Sequence, residues 1–253
     1  MTSSGTDRRS AAAVWQEVEF GSYTADLALW TELAGAADGP VLELGAGAGR
    51  VALRLAAHGH QVLALDSDRE LGAELGRVAE ERNVSVTPLT GDLSAADGLE
   101  VPARPGVVIG PLHVIQVLDA ASRPPLLARV TELAAPGATI ALTVVDESTL
   151  LAAGTSATQI LPDMRELDGW VYSSEPLWVH VGDETLTVRR LRERVSPEGR
   201  MERDVHDEVL HRVAADRLED EARAAGLRPV GRRQISSGPT EADSTVVLLE
   251  APA

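Results

Sequence analysis

Residues 41 to 50 read Val41, Leu42, Glu43, Leu44, Gly45, Ala46, Gly47, Ala48, Gly49 and Arg50, an apolar run leading straight into three alternate glycines. Glycine adopts backbone conformations that other residues avoid and lets a ligand come close to the chain. A helix opening immediately after such a turn presents unpaired amide groups and a positive end. The chemistry on offer is the holding of a polar or anionic group. Dinucleotide sites space their glycines G-x-G-x-x-G, the last one admitting the helix to the strand. Here the spacing is G-x-G-x-G, and Arg50 occupies the position that the last glycine would need.

Acids follow at two further points. Asp66, with Ser67 beside it, ends the apolar run from Gln61 to Leu65, and Gly91, Asp92 and Leu93 follow the run from Val84 to Leu89. The glycine turn and both acids fall at successive carboxyl ends of expected strands, where open α/β sheets bind ligands. In these motifs the chain resembles the class I S-adenosylmethionine-dependent methyltransferases, whose first motif is E/D-x-G-x-G-x-G. The resemblance implies S-adenosylmethionine as cofactor and S-adenosylhomocysteine as product. It implies that Glu43 supports the loop and that the methionine portion lies over Gly45, Ala46, Gly47 and Gly49, with Arg50 at the head of the helix. Asp66 and Ser67 would then serve the ribose hydroxyls, a role that suits a carboxylate because it offers only acceptors. Asp92 would take the adenine amino group and the Leu93 backbone a ring nitrogen. Gly110, Pro111 and Leu112 would line the methyl-transfer face, and Pro136-Gly137 is another habit of the family. The family's usual acid at the start of the fourth strand is missing, since the chain reads Ala103, Arg104, Pro105, Gly106, Val107, Val108 there.

Other residues belong to the acceptor side. Methyl transfer from a sulfonium is an in-line displacement, so the protein mainly orients the acceptor and excludes water. A base is needed only if the acceptor arrives protonated. His113, at the end of the expected central strand and titrating near neutrality, is the catalytic candidate. Tyr23 and Trp30 precede the first motif in a chain with 3% aromatics. By the family resemblance Tyr23 is expected near the sulfonium, where an aromatic face is favourable beside a cation, and Trp30 near the acceptor. Gln116 and the aromatic cluster Trp170, Tyr172, Trp178 and His180 are the remaining candidates for the acceptor pocket and its roof. Asp204, His206, Asp207, Glu208 and His211 suggest metal ligands, but on an extended segment His206 and His211 point to opposite faces, so no metal is expected. The run Arg189, Arg190, Arg192, Arg194 is read as surface ion pairing with Glu184, Glu193 and Glu198.

These groups need a scaffold. Apolar runs near 41–44, 61–65, 106–109 and 139–145, with an alternating strand pattern at 84–89, are interleaved with helical stretches at 50–58, 71–81 and 123–134, the pattern of a parallel sheet covered on both faces. The expected fold is α/β: a Rossmann-like, doubly wound, mostly parallel sheet with an antiparallel last strand. An N-terminal helical lid, broken near Gly21, precedes it, and an antiparallel β insertion follows the fifth strand. The chain is read as one domain over 1–253: tail and lid 1–40, cofactor-binding core 41–150, β-rich cap 151–213 in three extended segments, and a closing helix with two strands in 214–253.

Composition bounds the partners. A formal net charge of −16 repels phosphate backbones and anionic lipids, so neither nucleic acid nor membrane is expected. The absence of cysteine removes thiol nucleophiles and Cys-ligated metals. Gln16, Glu17 and Glu19 interrupt the apolar run after Arg8-Arg9 before an export signal could form. We therefore expect a cytoplasmic monomer or homodimer acting on a small-molecule methyl acceptor at an N, O or C nucleophile. Three rivals stay open on the sequence: non-methylating chemistry with the same cofactor, an NAD(P)-dependent oxidoreductase, and a non-catalytic cofactor-binding protein.

Overall fold

The computed structural model describes residues 9–145, 162–236 and 242–253. Two helices come first, α1 (Ala11–Phe20) and α2 (Leu27–Gly35). Ser10 starts α1 by accepting the Ala13 amide on its hydroxyl, and Gly21 ends it. Strand–helix alternation then runs β1 (Val41–Leu44), α3 (Arg50–Ala57), β2 (Val62–Asp66), α4 (Arg69–Arg82), β3 (Val86–Thr90), β4 (Val107–Gly110), α5 (Arg123–Leu133) and β5 (Thr139–Val145). Asp68 caps α4 through the Glu70 and Leu71 amides, and Asn83 closes it in the left-handed conformation. Short 3-10 turns at Leu93–Gly98 and Val114–Val117 stand where β3 and β4 hand over to their connections.

The chain closes with helix α6 (Ala215–Ala224) and strands β10 (Arg228–Ile235) and β11 (Ser244–Glu250), giving a seven-stranded sheet ordered β10-β11-β5-β4-β1-β2-β3. β1 to β5 pair in parallel, while β11 runs antiparallel between β5 and β10. Val107, Val108 and Ile109 of β4 have no solvent exposure, as an all-apolar central strand requires. The order reverses between β1 and β4, so the loops after them open onto one crevice. The Arg123 guanidinium and Glu221 carboxylate, both buried, tie α5 to α6.

A second, antiparallel sheet of four strands follows β5: β6 (Asp163–Leu167), β7 (Trp170–Val181), β8 (Thr185–Val195) and β9 (Met201–His211). The expected three extended segments are present, and β6 is an addition. Leu186, Val188 and Leu210 turn inward to pack with Val145, which fixes the parity of both strands. Arg190 and Arg192 share that inner face, and so does Glu208, in register with Val188. In β7 the register with β8 shifts between Pro176 and Trp178. This bulge sends Trp178 to the outer face, in register with Arg189.

Candidate active site

The turn after β1 is built from its glycines. Gly47 and Gly49 adopt φ of 54° and 88°, and a Cβ on either would overlap a neighbour, Gln16 Oε1 in one case and Leu75 Cδ1 in the other. The turn is held from two sides. Asp66, at the tip of β2, accepts the Gly47 amide on Oδ2 at 2.7 Å and the Asp68 amide on Oδ1 at 2.9 Å. Gln16 of α1 reaches over and accepts the Ala48 amide at 2.7 Å.

Beneath the turn lies Glu43, 3% exposed, with Oε2 lacking any hydrogen-bond partner among the described residues. Burial pushes its pKa up to about 8; Arg50 pulls the other way, while Asp26 and Asp66 add to the rise. Arg50 forms a two-pronged pair with Asp26, at 2.7 and 2.6 Å, donates to the Tyr23 carbonyl at 3.0 Å, and sits 5.1 Å from the Tyr23 ring centroid. The guanidinium thereby fastens the α1–α2 connection to α3. Asp92 begins the turn at Leu93–Gly98 by accepting the Ser94 amide and hydroxyl on Oδ1, at 2.8 and 2.7 Å, and these bonds hold its carboxyl below the usual range.

At the end of β4, Leu112 has a φ of 53°, unusual for a side chain of its size. Its neighbour His113 places Nε2 at 2.7 Å from Glu208 Oε1, with the Phe20 ring edge-on at 6.4 Å. Burial lowers the His113 pKa, but the charge and hydrogen bond of Glu208 outweigh it, and the net shift is upward from 6.5. A cavity of about 820 Å³ joins these parts: the glycine turn, Tyr23, Asp66 and Ser67, Asp92 and Leu93, Pro111 to His113, and Glu208. Its volume suits a small ligand.

Residues 41–137 match a family model described as a methyltransferase domain, on the fold and crevice just described. Over that stretch the chain is similar to methyltransferase domains, and the resemblance is to class I enzymes whose cofactor is S-adenosylmethionine. Among solved structures, the chain resembles the CcbJ methyltransferase of Streptomyces caelestis (23% identity, TM-score 0.65), over 91% of this chain and 97% of that one. It also resembles the glycopeptide N-methyltransferase MtfA in complex with S-adenosylmethionine (26%, 0.59; 90% and 93%). The sugar N-methyltransferase KedS8 of a Streptoalloteichus species is a third (12%, 0.71; 100% and 97%). No curated protein sequence matches.

Several site residues expected from sequence lie elsewhere in the structure. Trp30 has no exposure and donates its indole N–H to Asp26 Oδ2 at 2.8 Å, so it belongs to the core. Gln116, 1% exposed, accepts the Val145 amide at 2.7 Å and anchors β5. Gly110 is outside the cavity wall; a Cβ there would press on Leu142 and Val114. Tyr172 meets Trp15 of α1 edge-on at 5.5 Å, Trp170 lies under Arg194, and Trp178 lies under Arg189 on the far face with His180. None of these aromatics reaches the cavity.

Arg190 and Arg192 are not surface pairs. Arg192 makes a two-pronged contact with Glu19 of α1, 2.7 Å on each side, and Ser174 and Arg190 join it. Sequence reasoning missed Gln16, Phe20, Ser94 and Glu208 as parts of the wall. For Glu208 a signal existed, since it sits in the titratable cluster set aside as a metal site.

Proposed function

We propose that the enzyme methylates an amine of a small molecule, binding cofactor over the glycine turn and acceptor between His113 and the second sheet. The observation that carries this reading is the single cavity in which the turn, the strand-end acids and the His113–Glu208 pair meet.

The residues present fit the cofactor. Glu43 Oε2, buried beside the turn without a partner, suits the ammonium of the methionine portion. The lone pairs left on Asp66 suit the ribose diol, and Asp92 with the Leu93 backbone suits the base. Tyr23, Ser67, Pro111 and Leu112 complete the wall around it. Bound there, S-adenosylmethionine supplies an electrophilic methyl group on its sulfonium.

An amine acceptor is favoured by two things. The cavity wall carries Glu17, Asp66, Asp92 and Glu208 against Arg50, Arg54 and Arg82, and Arg50 is already neutralised by Asp26. An ammonium is drawn to such a wall, and His113 can take its proton to free the lone pair. Two of the similar structures are N-methyltransferases of a sugar and of a glycopeptide by name. The region around 151–213 then serves as the acceptor cap, within one domain spanning 1–253.

Purified enzyme, S-adenosylmethionine and a panel of amino sugars and other small amines test this. Formation of S-adenosylhomocysteine with an N-methyl product is the expected result. Methylation at oxygen or carbon, or cofactor binding without turnover on any amine, overturns it.

A further inference from the structure

Strand parity delivers Glu208 to the cavity. It shares the inner face of β9 with Leu210 and is in register with Val188, both packed at the junction of the two sheets. From there its Oε1 meets His113 Nε2 across 95 residues of sequence, with side-chain exposures of 27% and 22%. Arg190 and His206 act on Glu208 electrostatically, and Phe20 covers the imidazole edge. A carboxylate can only accept, so the neutral ring keeps its proton on Nε2 and carries its lone pair on Nδ1.

We infer that Glu208 is a positioning residue for methyl transfer: it fixes the tautomer of His113 so that Nδ1 takes the acceptor's proton, and it steadies the imidazolium that results. The inference rests on the amine reading above. The proton leaves the ammonium nitrogen for Nδ1, the nitrogen lone pair forms the new N–C bond as the methyl–sulfur bond breaks, and the imidazolium later returns the proton to solvent. The second sheet thereby supplies part of the catalytic apparatus as well as a cover. A carboxylate behind an imidazole in this way follows the general logic of base orientation in acid–base catalysis. A plain docking contact between the sheets would need the same bond but would leave the pH dependence of turnover untouched.

The test uses the full chain with Glu208→Gln, Glu208→Asp and His113→Ala. Proton NMR titration, with the His113 signal assigned by its loss in His113→Ala, should show its pKa falling in Glu208→Gln. With an amine acceptor, kcat should fall about 10- to 100-fold, while KM for S-adenosylmethionine holds. The acidic limb of the rate profile should move to lower pH with the His113 titration, and Glu208→Asp should recover part of the rate. An unmoved His113 titration, an unmoved acidic limb, or a change confined to KM overturns the inference. A wild-type enzyme that turns over no amine overturns the amine reading and the catalytic part of this inference together, and the titration then decides the pairing by itself.

Discussion

Asp66 Oδ2 accepts the backbone amide of Gly47 at 2.7 Å, joining the end of β2 to the turn that follows β1. In the proposed reading the carboxylate therefore has two jobs, one toward the protein and one toward the ribose of the cofactor. Asp66→Ala removes the ribose acceptors and also releases the turn, leaving the Gly47 and Asp68 amides without their partner. We expect S-adenosylhomocysteine affinity, measured by calorimetry, to fall at least ~100-fold, and thermal stability to drop by about 1–3 kcal/mol. Asp92→Ala, which frees only Ser94, should cost about tenfold. Equal losses in the two variants would contradict the double role.

Glu43 gives a pH signature. Its carboxyl is raised from 4.5 to about 8, so between those values the folded chain holds a proton that the unfolded chain has released. The sign follows: stability falls as pH rises through that window, by an amount on the order of a few kcal/mol. Glu43→Gln, neutral throughout, should lose less melting temperature between pH 5.5 and pH 8.5 than the wild type. Identical pH profiles would place the ionisation elsewhere.

At Gly47 two effects can be separated. Alanine there meets Gln16 Oε1 and must also hold a φ of 54°. The left-handed backbone alone costs a β-carbon residue about 1–2 kcal/mol. Gly47→Ala should therefore weaken both folding and cofactor affinity, and the added change Gln16→Ala should restore part of the loss by vacating the clash. Strict additivity in the double variant, read by denaturant melts, would show that Gln16 is no obstacle.

Glu19 is nearly buried and receives Arg192 on both carboxylate oxygens, with Ser174 and Arg190 alongside. Removing one side of such a pair leaves buried charge uncompensated, at about 3–5 kcal/mol. For a chain of this size Glu19→Ala should lower the melting temperature by roughly 10 °C. Glu19→Leu with Arg192→Leu should recover most of it, because the apolar pair leaves no charge stranded. A single variant that melts like the wild type would show the contact to be idle.

The parallel half of the fold was legible because its signals are local. β1, β2, β4 and β5 are short, mostly apolar runs and β3 an alternating one, and Asp66 and Asp92 stand close to where two of these strands stop. Most of the residues proposed for the cofactor side lie at the ends of those strands and line one cavity. The second sheet was harder. β6 is Asp163, Met164, Arg165, Glu166, Leu167, too charged to stand out as a strand. Trp170, Tyr172 and Trp178 share one face by simple alternation, but the bulge after Pro176 reverses the last of them, so an apparent aromatic cluster divides between two faces. Trp30 looked like a binding aromatic until Asp26 took its N–H. Glu208 was discounted because its partner lies 95 residues away, and contacts of that kind are set by topology that no window of sequence displays.

Helix α1 touches both the glycine turn and the second sheet. Gln16 and Glu19, one turn apart, hold the turn and the four-stranded sheet respectively. The helix cannot swing away from either without loosening its grip on the other. One helix thus latches two separate parts of the fold, so that prising open the glycine turn slackens the four-stranded sheet as well.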